Sequence, residues 1–168
     1  MGDTDGFDEV DRLVEAWRRE RPDLDVAPLE VLSRVTRLAR HLDLARRQAF
    51  AAQGLESWEF DVLSALRRSG EPYQLSPGQL LRETLVTSGT MTNRVDRMTS
   101  RGLVARRPDL NDRRGVQVRL TAAGRQAVDA ALDQLLVRER DLLRALPPDD
   151  QRRLADMLRV VVLPFDDA

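Results

Sequence analysis

The 168-residue chain contains no cysteine and no lysine, and it has one histidine and only 4% aromatic residues. The absence of cysteine excludes disulfides, thiol redox sensing and cysteine-based metal sites. All 27 basic residues are arginines, so no lysine can form a Schiff base or serve a phosphate-binding loop of the usual type. The single His41 lies within a helical pattern, where we expect a helix-surface or core residue rather than a metal ligand. We therefore expect neither a metal nor a cofactor.

Long apolar runs are also missing. No run approaches the roughly 18 consecutive apolar residues of a membrane-spanning helix, and the acidic start of the chain resembles neither a signal peptide nor a basic arm. We therefore expect a cytoplasmic protein with no membrane partner. With 42% hydrophobic residues, residues 1–168 are predicted to form a single domain with its own core.

Positive charge is concentrated in one stretch of the chain. The whole sequence has 27 basic and 28 acidic residues, a net charge of −1. Residues 88–121, in contrast, contain eight arginines and three aspartates, a net charge of +5. The total charge does not indicate a nucleic-acid partner, but this distribution does.

The same stretch has the order of elements of a helix-turn-helix followed by a wing. The predicted elements are a helix at 77–84, a helix at 88–102 and two strands at 103–105 and 116–120. Glycine at 102 is a common helix stop. The second strand alternates strictly between apolar and polar residues, and the segment between the strands is rich in charge and turn formers.

The second predicted helix is amphipathic. Successive residues turn by about 100°, which places Met91, Val95 and Met98 on one buried stripe. The opposite face and its flanks carry short or forked polar side chains that suit base edges and phosphates of the major groove. The candidate DNA contacts on this helix are Ser88, Thr90, Thr92, Asn93 and Arg97. Taken alone, the pattern is equally typical of an ordinary solvated surface helix.

The segment between the two strands adds Arg113 and Arg114. A basic hairpin tip beside a helix-turn-helix can place arginines in the narrow minor groove, where the negative potential is highest. We therefore predict that both residues contact DNA and that the main partner is a DNA double helix.

Residues 112–121, DRRGVQVRLT, resemble the wing signature of MarR-type transcriptional regulators, Asp-x-Arg-x-x-x-Val-x-Leu-Thr. Residues 88–103 resemble the recognition helix of that family and its exit, and the resemblance spans roughly residues 28–163. It implies a mainly α fold with a small β wing, a winged helix-turn-helix that acts as a homodimer. It also implies that Arg114 is the groove arginine of the wing tip and that Asp112 holds the shape of the wing.

Apolar residues at helical spacing predict further helices on both sides of this stretch. The expected parts are an extra N-terminal helix at 7–21, dimerisation helices at 28–53 and 122–163, and a DNA-binding lobe at 57–121. Ser57 is predicted to cap the first helix of the lobe, and Thr121 is predicted to cap the helix that follows the wing. The apolar faces of the long helix and of the C-terminal helices have no further domain to cover them, so we expect a dimer core built from both ends of the chain.

Two charged residues indicate a candidate effector site. Asp61 lies on the same helix stripe as Trp58 and Ala65, so we expect it to be partly buried and to need a partner. Arg94 lies about 65° from the apolar stripe of the recognition helix, and Arg106 at the root of the wing is expected to point toward the same region. An internal Asp61–Arg94 ion pair would explain these positions without any ligand.

Within the MarR family, the urate-responsive regulators resemble this chain further. They have an added N-terminal helix with a tryptophan, an aspartate in the helix after the long one, and arginines in the recognition helix and just before the wing. The matching residues are Trp17, Asp61, Arg94 and Arg106. The resemblance implies a repressor that binds a pseudo-palindromic operator and is released when a small anion such as urate shifts the recognition helix. Related members answer to other small carboxylate or phenolic anions.

Three functions therefore remain open. The favoured one is a ligand-responsive DNA-binding regulator, and the second is a constitutive DNA-binding protein in which the Asp61–Arg94 pair is purely structural. The third is a hydrolase with paired carboxylates. It is the weakest, because one histidine and no cysteine cannot build a nucleophile–base pair. We expect no enzymatic activity.

Arg114→Ala is expected to weaken DNA binding strongly while the protein stays folded, because the change removes a groove contact and no core side chain. The slope of log affinity against log salt concentration should flatten by about one unit. Titration of a labelled duplex at several salt concentrations measures both quantities. Unchanged affinity and slope would mean that the wing does not contact DNA.

Overall fold

The computed structural model describes residues 6–84, 87–109 and 115–165. Within these ranges the chain is mainly helical with one small antiparallel sheet. The helices are α1 (Glu9–Glu20), α2 (Ala27–Ala51), α3 (Ser57–Arg68), α4 (Pro77–Thr84), α5 (Ser88–Ser100), α6 (Ala122–Leu143) and α7 (Pro148–Val162). The strands are β1 (Gln74–Leu75), β2 (Val104–Pro108) and β3 (Val116–Leu120), and a 3₁₀ turn (Leu163–Phe165) follows α7. The predicted fold class, mainly α with a β wing, is confirmed.

The helices predicted at 7–21, 28–53, 77–84 and 88–102 are present, with ends within about two residues of the expected positions, and the predicted range 122–163 contains the two helices α6 and α7. One strand was missed and one local prediction is wrong. The strand β1, which pairs with β3 through Gln74 and Leu75, was not predicted, since two residues are too few to show an alternation. The N-cap of α3 is Glu56 rather than Ser57, and the backbone N–H of Glu56 is bound by the carboxylate of Glu59 at 2.9 Å.

The chain divides into two compact units, an N-terminal unit up to Leu44 and a C-terminal unit from Ala45 onward. In the N-terminal unit, Val10 and Val14 of α1 form a small buried cluster with Val26. The amphipathic spacing of α1 therefore buries two of its apolar side chains and leaves others, such as Trp17, exposed.

Ion pairs fix α1 to the first half of α2. Asp8 caps α1 by accepting the backbone N–H of Val10 at 2.7 Å, and Arg34 of α2 donates to Asp8 at 2.8 Å and to Asp11 at 2.7 Å. The hydrogen bond from Arg34 lowers the pKa of Asp8 from 3.8 to about 2. The carboxylate therefore stays charged, and keeps both the cap and the ion pair, until the pH falls close to that value.

The core of the C-terminal unit lies under the helix-turn-helix. Its largest fully buried side chains include Phe50, Leu63, Leu66, Leu80, Met91 and Met98. The sheet has the order β1–β3–β2, and β2 and β3 form a hairpin in which Val104 faces Leu120 across the pair. Apolar residues of this hairpin, Val118 above all, complete the same core.

The joint between the sheet and α6 depends on a glycine. Thr121 caps α6, as predicted, by accepting the backbone N–H of Gly124 at 3.0 Å, and its own N–H and hydroxyl donate to the carbonyl of Leu103 at 3.1 and 2.9 Å. A Cβ atom at Gly124 would lie 2.0 Å from that carbonyl oxygen. Only glycine allows α6 to approach the exit of the recognition helix this closely.

Apolar side chains remain exposed along the C-terminal helices. Within the described residues, α7 has no buried residue, and Val160 is 74% exposed. The helix α6 also exposes Leu132, Leu136 and Leu142. Exposed apolar surface of this extent is typical of a face that another protein surface covers. In the described ranges, no helix has both the length and the apolar character needed to cross a membrane.

Gly124→Ala is expected to lower the free energy of unfolding by about 1–3 kcal/mol or more, because the new methyl group overpacks against backbone that must then move. The matched control is Gly89→Ala in α5, where a Cβ atom would meet nothing within 4 Å. This control should be neutral or stabilise by up to about 1 kcal/mol through helix propensity. Denaturant unfolding of both variants tests the contrast, and equal stabilities would contradict the close approach at Gly124.

Candidate nucleic-acid interface and effector site

The helices α4 and α5 form the helix-turn-helix, and the predicted buried stripe of α5 is confirmed. Met91, Val95 and Met98 are at most 2% exposed. Beyond the last turn, Gly102 has a φ of +70°, a conformation that glycine adopts without strain. The N–H groups that follow the helix return to its last turn, with Leu103 donating to the carbonyl of Met98 at 2.9 Å.

The opposite face of α5 is exposed and polar. Ser88, Thr90, Thr92 and Asn93 are all exposed. Thr92 donates to the carbonyl of Ser88 at 3.2 Å, and the hydroxyls of Thr90 and Thr87 lie 2.9 Å apart. Within the described residues the side chain of Asn93 makes no hydrogen bond. A rigid helix thus presents short polar groups to solvent, and their contacts with DNA stay a prediction.

Arg97 and Arg94 lie against the first turn of α3. Arg97 donates to Glu56 at 2.7 Å, and its guanidinium carbon lies 4.8 Å from the centre of the Trp58 ring. Arg94 lies over the same ring at 5.3 Å. A hydrogen bond from the Trp58 indole, followed by the charge of Arg97, lowers the pKa of Glu56. Arg97, predicted from sequence as a DNA contact, therefore already has partners within the protein.

A buried carboxylate fixes the end of the recognition helix. Glu59 is 0% exposed, and Arg101, which follows α5, donates to its Oε1 at 2.5 Å and also to its Oε2. Arg101 donates further to the carbonyl of Gly54 at 2.7 Å. Sequence reasoning missed this pair. The one available signal was the spacing of Glu56 and Glu59, which matches the glutamate of a capping box three residues after the N-cap.

The base of the wing is well defined. The backbone N–H of Asp109 donates to the carbonyl of Gly115 at 2.9 Å, and Gln117 donates to the Asp109 carboxylate at 2.6 Å. The predictions for Asp112, Arg113 and Arg114 lie outside the described residues. On the hairpin itself, Arg106 forms an ion pair with Asp96 of α5 at 2.7 Å, which ties β2 to the recognition helix.

The predicted burial of Asp61 and its pair with Arg94 are both wrong. The side chain of Asp61 is 48% exposed, and its ion-pair partner is Arg46 of α2, at 3.2 Å. The buried face of α3 centres on Glu59 and Leu66, which lie about 140–160° around the helix from Asp61. The stripe of Trp58, Asp61 and Ala65 proposed from the sequence lies at the edge of the buried face and not at its centre.

Three of the four predicted effector residues lie in the C-terminal unit and have different partners. Within the described residues, Asp61 pairs with Arg46, Arg94 lies over Trp58 and Arg106 pairs with Asp96, and none of the three forms a hydrogen bond or ion pair with another. Trp17 belongs to the N-terminal unit, where its side chain is 47% exposed.

Asp61 lines a cleft of ≈ 260 Å³ whose walls carry two arginines, two carboxylates and one aromatic ring. Arg46 lies 5.8 Å from the centre of the Phe60 ring, and Arg68 donates to Ser64 at 2.7 Å. The residues of the cleft are Arg46, Phe60, Asp61, Ser64, Arg68, Glu83 and Thr84. Arg46 is paired with Asp61 and Arg68 with Glu83, each at 3.2 Å, so a small aromatic anion could bind the two arginines only in competition with these carboxylates. Sequence reasoning missed both arginines, because they lie on the surfaces of two different helices and share no pattern.

Together, the helices α4 and α5 and the β2–β3 hairpin define a winged helix-turn-helix protein, a class that binds DNA. Residues 53–115 match the sequence profile of the MarR family. The HTH-type transcriptional regulator PecS of Dickeya dadantii is 35% identical over 150 residues, which are 89% of this chain and 90% of PecS. The HTH-type transcriptional repressor NicR of Pseudomonas putida is 36% identical over 65% of this chain and 70% of NicR.

Solved structures are similar in fold. BpsR of Bordetella bronchiseptica superposes with a TM-score of 0.64 and 25% identity, over 78% of this chain and 91% of BpsR. The apo form of MarR from E. coli superposes with a TM-score of 0.66 and 23% identity, over 79% of this chain and 96% of MarR. The chain belongs to the MarR family of transcriptional regulators.

Arg101→Ala is expected to destabilise the protein by about 2 kcal/mol or more, because it leaves the buried Glu59 carboxylate without its cationic partner. The matched control is Arg97→Ala, whose partner Glu56 is exposed, and it should change stability by about 1 kcal/mol or less. Denaturant unfolding at neutral pH compares the two variants. Equal losses would show that the Glu59–Arg101 pair does not fix the helix.

Proposed function

We propose that this protein is a homodimeric repressor that binds a pseudo-palindromic operator and is released by a small anionic effector such as urate. The observation that carries the proposal is the structure of α5, in which a buried apolar stripe lies opposite an exposed face of short polar side chains. The adjoining hairpin adds the wing. This arrangement suits a helix that enters the major groove while the hairpin reaches the neighbouring minor groove.

The proposed DNA contacts divide by chemistry. Ser88, Thr90, Thr92 and Asn93 carry groups that can bond base edges, and Asn93 is suited to a bidentate contact with adenine. Arg97, Arg113 and Arg114 are proposed as contacts to phosphates and to the minor groove, with Asp112 shaping the wing. Base contacts would set the sequence preference, and the arginines would supply most of the salt-dependent affinity.

A second copy of the chain is the proposed cover of the exposed apolar faces. In the N-terminal unit, α2 exposes Val31, Leu32, Val35 and Leu38, and in the C-terminal unit α6 and α7 expose the apolar residues named above. A two-fold dimer buries the same surface of both copies. It also presents two recognition helices, which fits a palindromic site with half-sites about 10 bp apart.

The proposed effector residues are Trp17, Asp61, Arg94 and Arg106, with Arg46 and Arg68 added by the cleft at Asp61. An anion bound in this cleft would attract Arg46 and Arg68 and would be repelled by Asp61 and Glu83, so it would weaken the Arg46–Asp61 and Arg68–Glu83 pairs. Arg94 and Arg106 both contact the recognition helix or belong to it. A ligand that pulls either arginine away from its present partner would therefore change the contacts that position α5.

A similar protein of known structure supports a second class of effector, the small aromatic carboxylates. The DNA binding of BpsR, described above, is regulated by 6-hydroxynicotinic acid, which carries an aromatic ring and a carboxylic acid. The same chemistry, a flat ring with negative charge, suits the arginines and Phe60 of the cleft. A small aromatic carboxylate is therefore the alternative to urate. A constitutive DNA-binding protein that answers to no ligand is the remaining alternative.

Trp17→Phe, Asp61→Asn and Arg106→Ala are each expected to alter release by the effector more than affinity for the operator. Coupling between two sites is typically about 1–3 kcal/mol, so its loss should move the half-point of release by roughly tenfold or more. Fluorescence anisotropy of a labelled operator, titrated with urate and with 6-hydroxynicotinic acid, measures both quantities on each variant.

Two controls separate ligand contacts from structural effects. Asp96→Asn breaks the same ion pair as Arg106→Ala but keeps the arginine, so an equal change of response in both variants would assign the effect to the ion pair rather than to a contact between Arg106 and the ligand. Asp133→Asn removes an exposed carboxylate from α6 and matches the charge change of Asp61→Asn. A normal response in all three test variants would place the effector site elsewhere, or leave the protein without one.

A further inference from the structure

We propose that Glu56 is an internal competitor of DNA: it holds Arg97 in the DNA-free protein, and a DNA phosphate replaces it when the recognition helix docks. The proposal rests on the function proposed above, since it takes Arg97 to be a phosphate contact. It assigns a role in DNA affinity to a residue outside the helix-turn-helix and the wing.

Arg97 is held on two sides by the first turn of α3. Its Nη2 atom donates to Oε1 of Glu56 at 2.7 Å, and its guanidinium carbon lies 4.8 Å from the centre of the Trp58 ring. Both members of the ion pair remain accessible, with side chains 60% and 54% exposed. A pair this exposed typically changes an equilibrium by no more than about fivefold. It can therefore exchange one anion for another.

The carboxylate of Glu56 is fixed independently of Arg97. Its second oxygen, Oε2, accepts the indole N–H of Trp58 at 2.5 Å, and the backbone N–H of Glu56 donates to Glu59 at 2.9 Å. Glu59 is itself buried and bound by Arg101. A carboxylate held in place loses little conformational freedom when it captures an arginine. This distinguishes Glu56 from an ordinary mobile surface charge.

Arg97 also lies on the DNA-facing side of α5. Asn93 precedes it by four residues, so the two side chains are neighbours on the helix surface, and Asn93 is exposed. A duplex that docks against Asn93 brings its phosphates within reach of Arg97. Glu56 presents a negative charge at the same place, so phosphate and carboxylate compete for one guanidinium group. When phosphate binds Arg97, Glu56 keeps its bond from the Trp58 indole and its place in the capping box of α3.

The competition affects affinity rather than base preference. Every duplex carries the same phosphates, and phosphate contacts hold no sequence information. Glu56 therefore lowers the affinity for the operator and for unrelated DNA by the same factor. Its removal should strengthen both complexes and leave their ratio unchanged.

The test is a double-mutant cycle on Glu56 and Arg97, measured by anisotropy with a selected operator and with an unrelated duplex. Glu56→Gln keeps an acceptor for Trp58 and removes the charge, and it should tighten both complexes about two- to fivefold. Arg97→Ala should weaken both and flatten the salt slope by about one unit. In the Arg97→Ala background, Glu56→Gln should raise DNA affinity by no more than the removal of one negative charge does by itself.

Glu83→Gln measures how much DNA affinity rises when one negative charge is removed without freeing an arginine of the recognition helix. Glu83 is exposed, and its ion pair at 3.2 Å is with Arg68 of α3 rather than with an arginine of the recognition helix. Equal gains from Glu56→Gln and Glu83→Gln would rule out the competitor while leaving DNA binding intact. A drop in thermal stability for Glu56→Gln without a gain in affinity would also overturn it, and would leave Glu56 a structural residue. If the wild-type protein binds neither duplex, the competitor and the proposed function fail together.

Discussion

The ion pair between the buried Glu59 and Arg101, whose side chain is 41% exposed, fixes the end of the recognition helix to the scaffold. Glu59 lies in the first turn of α3 with no exposed surface, so its charge has to be compensated inside the protein. Arg101 supplies that compensation from the end of α5 and reaches the carbonyl of Gly54 as well. The angle at which α5 presents its polar face therefore depends on one carboxylate that belongs to a different helix.

Much of the fold follows from local sequence rules. The stripe of Met91, Val95 and Met98, the stop at Gly102 and the cap at Thr121 were each predicted from residue type and spacing, and the structure has all three. These features depend on neighbours within one helical turn or one tight turn. Local physical chemistry is sufficient to specify them.

The candidate site was less predictable, because its contacts join residues far apart in the chain. Helical periodicity gave Asp61 a buried position, but the partners of α3 decide which face is covered, and they leave Asp61 exposed beside Arg46. In the same way, a helical wheel placed Arg97 on the open face of α5 and gave no sign of Glu56, 41 residues earlier. The sign of a charge can be read from sequence, whereas its partner is set by the packing of whole helices.

The helix α3 emerges as the element that joins the two proposed activities. One side of it, at Glu56, Trp58 and Glu59, contacts the recognition helix, and the other side, at Asp61, lines the cleft. An effector bound in the cleft and a DNA phosphate bound at Arg97 would therefore act on the same rigid segment. If effector binding and DNA binding both act on this helix, no further chain of residues is needed to couple the two sites.

The central claim is that two copies of the chain read DNA together through α5 and the wing. It is tested most directly by selecting bound duplexes from a random pool and sequencing them. We expect a pseudo-palindrome whose half-sites are centred about 10 bp apart, one turn of the double helix. Enrichment of a single unrepeated half-site, or of no sequence at all, would contradict it.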